Sequence, residues 1–119
     1  MSDTDGVVKA YLHAIAARNF ELARSYLCDR GFRYVSPIGN FDNADRFIDN
    51  LVAVGSILER LEIRQCMISG NQALAVLDAV ITLRGYVSKT IAVLFRVEGG
   101  KIRTIEAIFD ASDYHRMFA

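Results

Sequence analysis

Few side chains in this sequence stand where they can do chemistry, and the single proline marks one of them. In YVSPIG, Ser36 precedes Pro37, which holds it extended, and it alternates with Tyr34 and Phe32 on one side of a short strand. A serine hydroxyl needs a neighbouring base before it can attack or pass on a proton. None is evident beside this one, so Ser36 reads as a hydrogen-bonding group. Tyr11 lies on an apolar helical stripe, where its hydroxyl can donate to a ligand carbonyl or meet a backbone or solvent partner. Asp78 is the one acid within ALAVLDAVITL, a setting that would raise its pKa and suit acid-base work. His13 is about 200° around its helix from Tyr11, too far round for the two to act together. His115 falls in the tail SDYHRMF, which can either fray or cross a pocket mouth and supply a base or lid. The two histidines have no metal spacing, Cys28 and Cys66 are isolated, and SPIGN lacks the glycines and lysine of a phosphate cradle. The expectation is no metal, no organic cofactor and no disulfide.

The elements that position these groups change character at mid-chain. Val7, Val8, Tyr11, Leu12, Ala14 and Ile15 recur at helical spacing behind Thr4 or Asp5 as cap, which predicts a helix to about Arg18. Asn19 caps a second helix, FELARSYL, with Glu21 near the positive end of its dipole and Gly31 beyond its stop. Alternation from Phe32 to Ser36 predicts a strand that ends at Pro37, whose missing N–H cannot extend a ladder. Asp42 or Asn43 caps a third helix, about Ala44 to Ser56, with Phe47, Ile48, Leu51 and Val54 or Val52 inward. Four strands follow, LERLEIRQCMI, ALAVLDAVITLRG, SKTIAVLFRVE and KIRTIEAIF, joined by SGNQ, GYV and GG.

Three helices followed by one long, curved, antiparallel sheet make an α+β fold. In ALAVLDAVITL one face carries Ala75, Leu77, Ala79 and Ile81, and the other Val76, Asp78, Val80 and Thr82. The apolar face is assigned to the interior. The mixed face is assigned to a partner subunit or partial solvent, and a homodimer is its simplest burial. Arg33, Arg64 and Lys89 read as strand charges facing water.

The 119 residues suffice for one domain that buries roughly two thirds of its unfolded surface. Lys and Arg (14) balance Asp and Glu (14), so no net field gathers phosphate backbones or anionic lipid, and nucleic acid and membranes are not expected partners. MSDTDGVVKAY lacks the basic start and apolar run of a secretory leader, which predicts a cytoplasmic protein.

From VVKAYLHAI through RNFELARSYL, YVSPIGNFDNADRF and GNQALAV to LFRVEGGKIRTIEAIFD, nearly the whole chain resembles the nuclear transport factor 2-like superfamily, in particular its SnoaL-like polyketide cyclase and ketosteroid isomerase branch. The resemblance implies a single SnoaL-like domain over residues 1–119. Its fold is a cystatin-like, cone-shaped barrel: a curved antiparallel sheet wrapped around three N-terminal helices, with a pocket inside. It implies fold more than reaction, because this cone serves isomerases, cyclases, dehydratases, hydrolases and non-enzymatic partners. Ketosteroid isomerases place their general base immediately before the proline of the first strand, the position of Ser36, and a hydroxyl does not shuttle protons as a carboxylate does. Their oxyanion hole pairs a helix-one tyrosine, matched by Tyr11, with a protonated acid whose position is held by Val93. The last-strand acid of limonene epoxide hydrolases falls on Ala107, with Glu106 and Ile108 facing outward by alternation. The family's register also turns Asp78 to the convex face, in a structural ion pair beside outward Arg96, Arg103 or Glu106.

The implied pocket lining is Tyr11, Ile15, Phe32, Tyr34, Ser36, Phe47, Leu51, Leu77, Ala79, Ile81, Ile91, Val93, Phe95, Ile105, Ala107 and Phe109. Such a wall suits a small hydrophobic or aromatic molecule oriented by one or two hydrogen bonds. Three readings follow: a binding protein; an isomerase or cyclase acting on a polyketide- or steroid-like carbonyl compound, with Tyr11, Ser36 and His115 as candidate catalytic residues; and a ligand-free dimerisation scaffold. In each, a homodimer forms through the convex sheet face. The small inward residues Ser36, Ala79 and Ala107 oppose the scaffold, because they leave volume in the cone.

Overall fold

The computed structural model describes residues 3–82 and 85–110. The chain runs α1 (Thr4–Ala16), α2 (Phe20–Ser25), β1 (Arg33–Ser36), β2 (Gly39–Phe41), α3 (Ala44–Gly55), β3 (Leu58–Ser69), β4 (Gln72–Thr82), β5 (Tyr86–Glu98) and β6 (Lys101–Ile108). The strands form one open sheet in the order β2-β1-β6-β5-β4-β3, with the helices packed on its inner side. This is the expected α+β architecture, a cone-like curved sheet that does not close.

Local chemistry sets the helix ends. The side chain of Asn19 accepts from the Leu22 amide at the start of α2, and that of Asn43 accepts from the Arg46 amide at the start of α3. Thr4 does not cap α1 as anticipated. Asp3 occupies the cap position, and the buried Thr4 hydroxyl donates to the Gly70 carbonyl at 3.0 Å, tying the helix to the β3–β4 turn. α1 stops in a Schellman turn: Arg18 takes a left-handed φ of 58°, its amide donates to Ile15 O, and the Asn19 amide donates to Ala14 O. The Arg18 guanidinium then donates to the Gly55 and Leu58 carbonyls, which fastens this corner to the α3–β3 connection. Phe20 closes the same corner so tightly that a Cβ built on Gly55 would lie 2.7 Å from its ring.

β3 to β6 form the expected antiparallel meander. The Gly99–Gly100 turn has φ of 60° and 78°, the two positive angles a tight hairpin of this hand demands. Register shifts at Leu58/Arg60, Ile63/Gln65 and Arg96/Val97 bend the strands, as bulges do, and wrap the sheet around the helices. Two features depart from the sequence reading. Pro37 ends β1 but not the pairing: the chain turns back with Ser36 opposite Gly39, and β2 becomes an added edge strand. β1 also joins β6 in parallel, through Tyr34 opposite Ile105, so the sheet is not wholly antiparallel.

The inner face of β4 is buried at Ala73, Ala75, Leu77 and Ala79, while Leu74, Val76, Asp78 and Val80 are only partly covered. The apolar-in, mixed-out assignment therefore holds. Val8 of α1, Phe32, Phe47 of α3, Phe95 of β5 and Ile102 of β6 are almost fully buried and belong to the hydrophobic core.

Candidate functional site

Between α1, α3 and the concave sheet lies a cavity of about 220 Å³. The stripe of α3 that reaches it is Phe47, Asn50, Leu51 and Val54, residues at helical i, i+3, i+4, i+7 spacing. α1 supplies Tyr11, Leu12 and Ile15, and β1 supplies Tyr34, with Ile38 from the following turn. The sheet contributes Leu58, Leu61, Leu77, Ala79, Ile81, Ile91, Val93, Phe95, Ile105 and Ala107, and Phe109 stands beyond the end of β6. All but two of the anticipated lining residues meet here. Phe32 sits behind the wall, its ring 5.4 Å from that of Phe47 and only 1% exposed.

Ser36 is the other exception. Its hydroxyl donates to the Gly39 carbonyl at 2.9 Å and accepts from the Ile38 amide at 3.3 Å, so it stabilises the β1–β2 turn instead of lining the cavity. A serine beside a turn commonly bonds its own backbone in this way. As a catalytic candidate it fares no better, because those two bonds commit it to the turn.

Tyr11 is 4% exposed, and its ring meets Phe95 edge-on at 5.9 Å. Among the described residues no side-chain polar atom is sealed from solvent without a hydrogen-bond partner, and none donates to or accepts from the Tyr11 hydroxyl. The hydroxyl therefore opens into the cavity. Burial holds its pKa well above the usual phenol range, with the neighbouring Tyr34 adding to the effect, so it is a neutral hydrogen-bond donor. Tyr34 stacks on Phe47 at 4.4 Å. Burial raises its pKa too, partly opposed by the nearby Ser36 hydroxyl. Val93 and Ala107, at the two positions where the resemblance sets acids, face each other across β5 and β6 in the cavity wall.

The remaining candidates lie elsewhere. Asp78 is on the outer face, where its carboxylate pairs with Arg64 at 3.3 Å and accepts from Thr90. The partner is thus Arg64 of β3, not Arg96 or Arg103; Arg103 instead pairs with Glu98 at 2.6 Å. Both ends of the Asp78–Arg64 pair are about half exposed, so it contributes about 0–1 kcal/mol. Glu106 is exposed opposite Leu94, and His13 is exposed on α1. Lys89, anticipated as a charge facing water, lies opposite Ala79 on the concave side and donates to the Asp110 carbonyl. His115 lies outside the described residues. Among the described residues no group of His, Cys, Asp and Glu side chains is arranged to hold a metal ion, and no helix is long and apolar enough to cross a membrane.

Sequence reasoning missed Leu12, Ile38, Asn50, Val54, Leu58 and Leu61 as wall residues, although Val54 was an alternative for the inner stripe of α3. Asn50 had a signal: it is three residues from Phe47 and four from Val54, on the stripe already identified.

A curved open sheet, three helices on its concave side and an apolar cavity between them define the nuclear transport factor 2-like, ketosteroid isomerase-like fold. Solved structures share it along almost the full chain. An NTF2-like protein of unknown function from Burkholderia pseudomallei superposes with a TM-score of 0.85 at 20% identity, over 98% of each chain. A LEH-like epoxide hydrolase from M. tuberculosis gives 0.78 at 20% identity, over 94% of this chain and 84% of the other. TerC co-crystallised with polyporic acid gives 0.83 at 20% identity, over 98% of each chain. No family model matches the sequence, and no curated protein matches it.

Proposed function

We propose that the protein binds a small hydrophobic or aromatic molecule in the cavity between α1, α3 and the sheet. The observation that carries this reading is the Tyr11 hydroxyl, a neutral donor opening into a 220 Å³ space whose described walls are otherwise almost entirely hydrocarbon. Contact area supplies affinity there, and a phenol supplies orientation. The likeness to TerC, co-crystallised with polyporic acid, supports a small-molecule occupant of this fold's cavity. An isomerase or cyclase also needs a proton acceptor at the wall, and the described lining offers neither carboxylate nor imidazole. The open volume weighs against a scaffold whose cone is filled by its own side chains.

The same reading includes a homodimer. The outer sheet face carries partly covered Leu74, Val76, Val80 and Leu94 and exposed Met67 and Ile108, interspersed with Arg64, Asp78, Arg96 and Glu106. Apolar groups interspersed with both signs of charge can meet their own copy about a two-fold axis.

The test is a thermal-shift screen with steroids, phenols and polyketide fragments, followed by Tyr11→Phe. A ligand at 100 times its dissociation constant adds about 2.7 kcal/mol of stability. A genuine hit should lose part of its shift in the variant. An unchanged shift removes the hydroxyl contact, and a screen with no hits at all argues against the binding reading.

A further inference from the structure

Two features of the cavity wall go beyond its hydrophobicity. Among the described lining residues none carries a charge. The polar groups that do line it come from three separate elements: the phenols of Tyr11 on α1 and Tyr34 on β1, and the carboxamide of Asn50 on α3. Asn50 is exposed, and its side chain makes no hydrogen bond with a described residue. The nearby cations are turned to backbone: Lys89 donates to the Asp110 carbonyl, and Arg18 donates to the Gly55 and Leu58 carbonyls.

We propose that the cavity selects an uncharged, two-ended ligand, with one oxygen held by the Tyr11 hydroxyl and a second polar group read by Asn50. The inference rests on the binding reading above and names the class of molecule that site takes. A carboxylate brought against this wall would lose its water without gaining a counter-ion, whereas a hydroxyl or ketone asks only for one partner. A phenol offers a donor and an acceptor, and a carboxamide offers both in fixed directions, so the two ends tolerate either a hydroxyl or a carbonyl. Size sets the rest. An apolar cavity of about 150 Å³ takes benzene, so 220 Å³ suits one to two fused rings.

Three naphthalenes test this by fluorescence titration at neutral pH: 2,6-dihydroxynaphthalene with two neutral ends, 2-naphthol with one, and 6-hydroxy-2-naphthoate with one end charged. With the unmodified chain, the diol should bind about tenfold more tightly than naphthol, the contribution of one well-placed hydrogen bond. The naphthoate should bind more weakly than either. Asn50→Ala, a change at an exposed position, should reduce the diol to the level of naphthol and leave naphthol itself unmoved. A naphthoate that binds as tightly as the diol overturns the selection against charge. Equal affinities of diol and naphthol, or an equal loss of both in Asn50→Ala, overturn the role of Asn50. If none of the three binds, the binding reading falls and this inference falls with it, an outcome distinct from binding without discrimination.

Discussion

Replacing Ala107 by Ile separates an open cavity from a filled cone. Ala107 is 7% exposed on β6, opposite Val93, and its methyl faces the 220 Å³ space. The substitution adds three carbons. A cavity of about 150 Å³ already accepts a six-membered ring, so the added atoms fit without displacing the wall. At about 0.8 kcal/mol for each buried methylene, the gross gain is roughly 2.4 kcal/mol. Fixing the longer side chain returns about 0.5–1 kcal/mol of that as lost rotamer freedom, which leaves about 1.5 kcal/mol of net stabilisation. For a chain of this length that corresponds to a rise in Tm of about 5 °C. The strand context favours the change as well, because β-branched residues suit pleated, half-covered surfaces. Calorimetry on the ligand-free protein gives the first reading, and the thermal shift from 2-naphthol gives the second: the variant should melt higher and lose the ligand-induced shift, since its new side chain occupies the ligand's place. The opposite pair of results refutes the reasoning. If Ile at this position lowers stability by the 1–3 kcal/mol typical of overpacking, the cone is already full, and the scaffold account regains its footing.

Two further outcomes follow from the aromatic residues. Phe47 is 1% exposed and meets Phe32 at 5.4 Å, Tyr34 at 4.4 Å and Phe41 at 6.0 Å, so Phe47→Ala should cost about 3–5 kcal/mol in urea denaturation; a loss below about 1 kcal/mol would mean that this cluster does not anchor α3. Tyr11 predicts an alkaline limb. Its folded pKa is raised above the ordinary value of 10.0, so the stability linked to its neutral form is complete below about pH 10 and declines as the unfolded chain begins to ionise above it. The drop in Tm between pH 8 and pH 11 should therefore be smaller in Tyr11→Phe than in the unmodified protein, and equal drops would show that burial does not hold this phenol neutral.

The sequence displayed the elements far better than it displayed how they meet. Helical spacing in α1 and α3, the caps at Asn19 and Asn43, and the alternation of β4 are local signals, and each survives in the structure. β2 carried none. Gly39, Asn40 and Phe41 show no period, and the strand exists because Ser36 bonds across the Pro37 turn and aligns the chain with β1. The same bond explains why Ser36 was misplaced: alternation with Tyr34 pointed it at the cavity, but a shorter-range partner in the Gly39 carbonyl claimed the hydroxyl. Leu58 and Leu61 escaped notice for a related reason. Two register shifts interrupt β3, and across a bulge the rule that alternate residues share a face no longer holds. The parallel pairing of β1 with β6 joins residues some 70 positions apart in sequence, as Arg33 opposite Thr104 shows, and no local pattern encodes such a contact.

What these misses share bears on the site itself. Tyr34, Phe47, Val93 and Ala107 come from four separate elements, and the bend of the sheet brings them to one wall. Their types were legible: two aromatics, a branched aliphatic and a methyl, with no acid among them. Chemistry at a cavity of this kind depends on which few polar groups the wall contains, because hydrocarbon neither donates nor accepts a proton. Here the wall positions that the resemblance reserves for carboxyls hold Val93 and Ala107, the serine before the proline serves its turn, and Tyr11 remains as a donor whose burial keeps it neutral. A lone donor holds a bound carbonyl and would hold an oxyanion more strongly still, but the proton that an isomerisation or cyclisation moves also needs an acceptor, and the described lining has no carboxylate or imidazole. The described wall therefore supports the proposed binding role ahead of the enzymatic one.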